Sequence, residues 1–548
     1  MSVNENAISG REGNKMFVFK NKSDKEIFPI GLQAHNSSTD TRLIQKTIKA
    51  IQAVNGNCME APIYWYLLEP EKDQYDTAHV KKLIDEARAA GLYLILLWFG
   101  TSKNGHPNYV PEYIKLNPAA FLMAKECNKA PLEALSVHCM NTLKRDKAAF
   151  CRLMNFLKEY DGTERTVIAV QVENEMGYGG TDRDYSEAAE ADYAKEVPQE
   201  LSDIVIENAQ TESLSEVSAA LSPWKRKFGR YAQEAFSAWY TARYINAIAR
   251  AGKEIYPLPM SVNLMVGENS YEEAGLCYNA GAPVSRMLDL WKVATPDIDV
   301  IGPDIYNEDR RTYERICRNY SRKDNPLYIP ESPIRGEANA MNLILAAGQY
   351  GAAGLFCFGA ESMLEADETI RPESRDIALS MRTIAAMVPL LMKYRGSGHV
   401  YAITEDEFEK YRYLRNEQYH IIAKFTKYLT MNYGYSLSVD KAKLTGQEHG
   451  NVRGRAILVQ TGENEFYLGG AGVALDFIKI PDAADERSYS HMNARSFSQL
   501  NFLSVEEGHF EGDTWVCDFR RNGDESNFSQ YVLTGEVIRI RLNPKTPE

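Results

Sequence analysis

Two glutamates close apolar stretches short enough to be buried parallel strands: Glu175 in Val170-Gln171-Val172-Glu173-Asn174-Glu175, and Glu331 in Pro326-Leu327-Tyr328-Ile329-Pro330-Glu331. A carboxylate beside an apolar run is costly to bury without a task or a partner. Two of them facing each other across a barrel mouth can open a glycosidic bond, one donating a proton to the departing oxygen while the other attacks the sugar. That retaining route requires the carboxyl groups roughly 5 to 5.5 Å apart. Strict alternation along the first run places Gln171, Glu173 and Glu175 on one face and Asn174 on the other. Glu173 reads first as a salt-bridged strand end. Around Glu331, Pro330 and the following Ser332-Pro333 fix the backbone, so the side chain is held by geometry more than by ladder bonds.

For these side chains to meet, the strands that carry them must share one sheet. From Phe28 to about Phe358, short apolar runs alternate with helix-like segments, the pattern of a parallel sheet wound with helices. Eight candidate strands are Pro29 to His35, Asn57 to Trp65, Tyr93 to Trp98, Val167 to Glu175, Leu258 to Asn263, Val300 to Tyr306, Leu327 to Glu331 and Gly354 to Phe358. Amphipathic helices fill the gaps. Ala78 to Ala90 carries Val80, Leu83, Ile84 and Ala87 at helical spacing before Gly91, and Lys147 to Tyr160 carries Phe150, Leu153, Met154 and Leu157. The class is therefore α/β, a (β/α)8 TIM barrel over residues 1–393.

An acidic insertion rich in Ser, Ala and Glu follows the fourth strand at about 177–228, either a lid or subunit contact or a tolerated surface excursion. Gln233 to Ala251 then reads as an ordinary barrel helix. Around Tyr394-Arg395-Gly396-Ser397-Gly398 the periodicity changes. Alternating runs at Ala456 to Gln460, Glu465 to Leu468 and Glu536 to Leu542, punctuated by Gly469-Gly470-Ala471-Gly472, predict a smaller antiparallel β-rich C-terminal domain over 394–548.

The 62 basic and 75 acidic residues give a formal net charge of −13, which repels phosphate backbones and anionic membranes, so nucleic acid and membrane are not expected partners. No apolar stretch approaches the roughly 20 residues that cross a bilayer. The start, Met1 to Asn6, lacks both the basic and the apolar part of a secretory signal, so the expected location is cytoplasmic unless a leader has been removed. Eight scattered cysteines without a C-x-x-C spacing read as buried free thiols of a reducing compartment, and the nine histidines form no zinc pattern, so no metal is expected.

The run Gln171 to Glu175 together with Glu331 resembles the signature of glycoside hydrolase family 35, the retaining β-galactosidases, and is also similar to family 42. Gly31 to Ser38, Leu96 to Gly100, Lys103-Asn104-Gly105, Pro303-Asp304-Ile305-Tyr306 and Arg521-Asn522-Gly523-Asp524-Glu525 extend the likeness, which runs from about Met16 to about Leu542. The resemblance implies an exo-acting enzyme on oligosaccharide substrates with no cofactor. Glu175 would be the acid/base, Glu331 the nucleophile, Asn174 a donor to the sugar 2-hydroxyl, and Tyr306 the phenol that orients Glu331. Trp65, Trp98 and Phe358 would offer faces to sugar C–H groups, with core filling as the competing role. Asn263, Lys103, Asn104 and His35 would contact hydroxyls, with loop stabilisation as an equal alternative. Glu69, in Glu69-Pro70-Glu71, reads as structural. Met176 stands where the family commonly has Tyr, which leaves open another β-glycoside such as a glucoside, fucoside or arabinoside. A third reading is a barrel that binds carbohydrate without cleaving it. A homo-oligomer would form through the acidic insertion or the β-rich domain.

Overall fold

The strands of the barrel are apolar along nearly their whole length because helices cover them outside and side chains fill them inside. The computed structural model describes residues 17–38, 41–209, 221–268, 272–407, 409–426, 452–480, 502–522 and 529–544. Residues 210–220 of the insertion, Gly523-Asp524-Glu525 of the tail motif and the first six residues lie outside the described residues.

The eight barrel strands are β1 Ile30–Gln33, β2 Cys58–Tyr64, β3 Tyr93–Lys103, β4 Val167–Asn174, β5 Met260–Met265, β6 Val300–Asp304, β7 Tyr328–Ile329 and β8 Gly354–Phe358. Their hydrogen-bonded order is β6-β5-β4-β3-β2-β1-β8-β7, and every pairing among them is parallel. Each strand is followed by a helix: α1 Thr41–Ala53, α2 Ala78–Ala89, α3 Met140–Tyr160, α4 Ala232–Ile255, α5 Leu288–Ala294, α6 Arg310–Tyr320, α7 Glu337–Gly348 and α8 Arg375–Tyr394. The fold is thus a (β/α)8 barrel. α2 buries the stripe expected of it, and Gly91 takes the left-handed turn after it at φ +71. α3 starts well before Lys147, because its first turns bury polar Thr142 and Asp146, which carry no apolar periodicity.

The barrel closes at a thin seam. β6 and β7 contain or border Pro303 and Pro330, which have no N–H to give a ladder. The two strands join instead through the Ile305 N–H donating to the Glu331 carbonyl at 2.9 Å. Gly302 permits the approach, since a Cβ there would lie 2.7 Å from Pro330 Cδ and 2.9 Å from the Tyr328 carbonyl oxygen. This seam delivers Asp304, Tyr306 and Glu331 to one edge of the mouth.

Beyond α8 the strands are antiparallel: β9 Val400–Thr404, β10 Tyr411–Arg415, β11 Tyr419–Phe425, β12 Arg455–Gly462, β13 Glu465–Ala471, β14 Val473–Lys479, β15 Phe502–Glu511, β16 Thr514–Arg520, β17 Gln530–Val532 and β18 Val537–Leu542. They form a six-stranded sheet, β9-β12-β13-β18-β15-β16, and a four-stranded sheet, β10-β11-β14-β17. β12 is apolar on both faces. Ala456 and Leu458 point into the β core, while Ile457 and Val459 join the barrel core, where α7 and α8 lie against the larger sheet.

Two expectations change here. Residues 372–394, which include α8, are long and apolar enough by composition to cross a membrane, and the physical reason is this double packing between barrel and sheet. The glycine run does not punctuate as expected: Gly469 and Gly470 stand inside β13, and the turn falls on Gly472 at φ +67. A Cβ at Gly470 would lie 2.2 Å from the Arg455 carbonyl oxygen of the neighbouring strand.

Candidate active site

β4 ends in strained backbone, with φ +63 at Glu173 and φ +45 at Glu175, a region that non-glycine residues enter at a cost of about 1–3 kcal/mol. The expected alternation therefore fails. Glu173 turns to the end of β3, where its two oxygens accept the Thr101 N–H at 3.0 Å and the Ser102 N–H at 2.8 Å. Backbone amides hold it in place of the expected ion pair, and burial beside Asp146 pushes its carboxyl well above the usual range. Glu175 is placed from the other side: its N–H donates to Asn263 Oδ1 at 2.9 Å and its carbonyl accepts from Asn279 Nδ2 at 2.7 Å.

A relay of amides supports this corner. Asn174 Oδ1 accepts from Asn263 Nδ2 at 3.1 Å and from Gln171 Nε2 at 3.2 Å, while its own Nδ2 donates to Asn104 Oδ1 at 2.9 Å. Lys103 Nζ donates to the same Asn104 oxygen at 2.7 Å. Asn263 also donates to Asp304 Oδ2 at 2.7 Å, tying the ends of β4, β5 and β6 together.

Glu331 is treated differently. Gln33 Nε2 donates to its Oε1 at 2.9 Å, and the Tyr306 hydroxyl donates to its Oε2 at 2.7 Å. Two donors fix this carboxylate by both of its oxygens. The Tyr306 phenol is pushed up by burial and by the Glu331 charge, so it stays a donor, although the residue as a whole is 46% exposed. Glu175 feels the opposite balance. Burial first, and then the negative charge of Glu331, raise its carboxyl to about 7, against the pull of Lys103. One carboxyl is thus held by two donors while its neighbour is raised by burial and charge, unlike surroundings of the kind that separate an acid/base from a nucleophile.

His35 and Phe358 lie together at the ends of β1 and β8, with ring centroids 5.4 Å apart, and the His35 ring meets Ser362 Oγ at 2.6 Å. The two tryptophans do not line the mouth. Trp98 is fully buried, packed on Phe150 of α3 and on Trp65, with its indole N–H donating to Asp146 Oδ1 at 2.8 Å. Trp65 is equally buried and donates to Glu69 Oε2 at 2.8 Å. The reason is the two-residue period of a strand: Ile95, Leu97 and Phe99 fill the barrel interior, so Trp98 faces the helices. Glu69 is structural, paired with Arg145 and accepting the Tyr113 hydroxyl at 3.1 Å.

Gln33 and Asp304 were not among the expected site residues. Both stand at the C-terminal end of a barrel strand, inside stretches quoted for the family likeness, and a polar residue at that position is the signal that reveals them.

Residues 36–254, which contain Glu175 and end before Glu331, match the family model Glyco_hydro_42, described as Beta-galactosidase. The matching model is thus family 42, the second of the two likenesses, and not family 35. Residues 378–532 match a model described as Domain of unknown function (DUF5597). No curated protein matches the chain. Among solved structures, the chain is similar to a beta-galactosidase from the psychrophilic Marinomonas ef1, at 13% identity and a TM-score of 0.46 over 67% of this chain and 60% of that one. It is also similar to the beta-galactosidase of the Antarctic haloarchaeon Halorubrum lacusprofundi, at 12% identity and TM-score 0.45 over 66% of this chain and 58% of that one. A third is the catalytic domain of beta-amylase from Paenibacillus polymyxa, at 13% identity and TM-score 0.47 over 64% of this chain and 97% of that domain. The chain therefore spans about three-fifths of the length of these two β-galactosidases.

Proposed function

We propose that this glycoside hydrolase is a retaining, exo-acting β-galactosidase that removes terminal β-galactosides from oligosaccharides by double displacement. The observation that carries the reading is the unlike treatment of the two carboxyls: Glu331 receives two donors, while Glu175 is raised to about 7. Glu175 gives its proton to the glycosidic oxygen as Glu331 attacks the anomeric carbon, and the leaving group departs as an alcohol. Water, deprotonated by Glu175, then displaces Glu331 and restores both groups. Asn174 Nδ2 spends one hydrogen on Asn104 and keeps a second for the sugar 2-hydroxyl, a contact that strengthens in the transition state. Phe358, half-buried, keeps the sugar-facing role expected of it, and exposed Tyr306 takes over that of the tryptophans.

The choice of galactose rests on the description of the family model over 36–254, and the double displacement rests on the two carboxyls themselves. A panel of aryl β-glycosides tests the sugar, and proton NMR of the first sugar released tests the stereochemistry. The galactoside should give the highest kcat/KM, with β-galactose appearing first. A glucoside, fucoside or arabinoside that outperforms it overturns the specificity, and α-galactose appearing first overturns retention.

A further inference from the structure

Asp304 closes β6 beside the two carboxyls assigned above and is 2% exposed. Its Oδ2 accepts from Asn263 Nδ2 at 2.7 Å. Its Oδ1 meets no N–H or hydroxyl donor among the described residues. The Glu175 carboxyl lies close enough for each of the two groups to act on the other, and two carboxyls can bond only through a shared proton. Three carboxyls, Glu175, Asp304 and Glu331, therefore crowd one mouth, where Lys103 is the one ammonium acting on them among the described residues and the Tyr306 phenol adjoins, with Tyr320 and Tyr328 also within electrostatic reach of Asp304. Three negative charges against one positive charge in a buried site are not sustainable, so protons must be kept. Glu331 already accepts two donors, from Gln33 and Tyr306.

We propose that Asp304 is a positioning residue for the acid/base: it remains a neutral carboxylic acid through turnover, and its hydroxyl donates to Glu175. In this arrangement Asn263 fixes one oxygen of Asp304, so that the other, protonated, is aimed at Glu175. The bond holds the Glu175 carboxyl in place with its free oxygen toward the substrate. It also steadies the carboxylate that Glu175 becomes after giving up its own proton, and no proton leaves Asp304 at any step. Burial first, and then the charges of Glu331 and Glu175, act in the same direction, raising Asp304 well above the usual carboxylate range.

The inference rests on Glu175 being the general acid, and the test separates the two claims. The readout is the alkaline limb of kcat/KM against pH for nitrophenyl β-galactoside, measured on the full chain. Asp304→Asn keeps the shape, accepts from Asn263 and offers an N–H to Glu175, so its limb should stay where the wild type has it, with activity reduced less than in Asp304→Ala. Asp304→Ala removes the donor, and its limb should rise by about one pH unit. Asp304→Val serves the same purpose if the alanine variant does not fold. A fall of the limb in Asp304→Asn, as loss of an ionised neighbour would cause, overturns the inference. So does a limb that stays put in the donorless variants or rises equally in all. Glu175→Ala is the control. If it keeps the limb, the acid assignment itself fails; if it loses the limb while the Asp304 variants leave it in place, only the Asp304 inference falls.

Discussion

The Tyr306 hydroxyl lies 2.7 Å from Glu331 Oε2, across a seam where β6 and β7 have almost no ladder to hold them. Burial and the Glu331 carboxylate keep the phenol protonated, and the phenol in turn fixes one carboxylate oxygen. Tyr306→Phe removes a hydrogen bond to a charged group, worth about 1.5–3 kcal/mol. It should lower kcat/KM roughly 10- to 100-fold. Steady-state kinetics check this.

Gly302 sets the approach that makes this contact. In Gly302→Ala the new methyl would meet Pro330 and the Tyr328 carbonyl, so the seam must open and carry Glu331 with it. The expected result is a loss in kcat larger than any change in KM, with a lower unfolding temperature. Kinetics alongside thermal denaturation separate the two effects.

The Glu175 carboxyl titrates near 7 in the folded chain against an ordinary value of 4.5, so the folded state binds the extra proton between those values. Its contribution to stability is fully present below about 4.5 and is lost as pH rises through 7, a difference of about 3 kcal/mol. Glu175→Gln carries no such charge. Denaturant melts at acid and mildly alkaline pH should show the variant gaining stability over the wild type as pH rises.

Trp98 serves the core, so Trp98→Phe should reduce stability by about 1–3 kcal/mol, because Asp146 loses its indole donor, and should leave KM unchanged. A raised KM with undiminished stability would return Trp98 to the mouth.

The strand ends were legible because a barrel wound with helices writes each strand as a continuous apolar run, and the last polar residue of such a run falls at the mouth. Glu175, Glu331 and Tyr306 carry that signal. The tryptophans misled because apolar runs hide which parity faces inward; only the helix layer around Trp98 settles it. The strained φ angles at Glu173 and Glu175 break alternation, so no periodic reading could separate their roles. Asp304 and Gln33 carry the same strand-end signal, but which groups they hold emerges only in the closed sheet.

The central claim is that Glu331 attacks the sugar while Glu175 handles the proton. Glu331→Gly with an aryl β-galactoside should be inactive in water and recover with azide, yielding the galactosyl azide of inverted, α configuration; Glu175→Ala with azide should give the β anomer. Undiminished hydrolysis by Glu331→Gly, or the same azide anomer from both variants, would contradict the account.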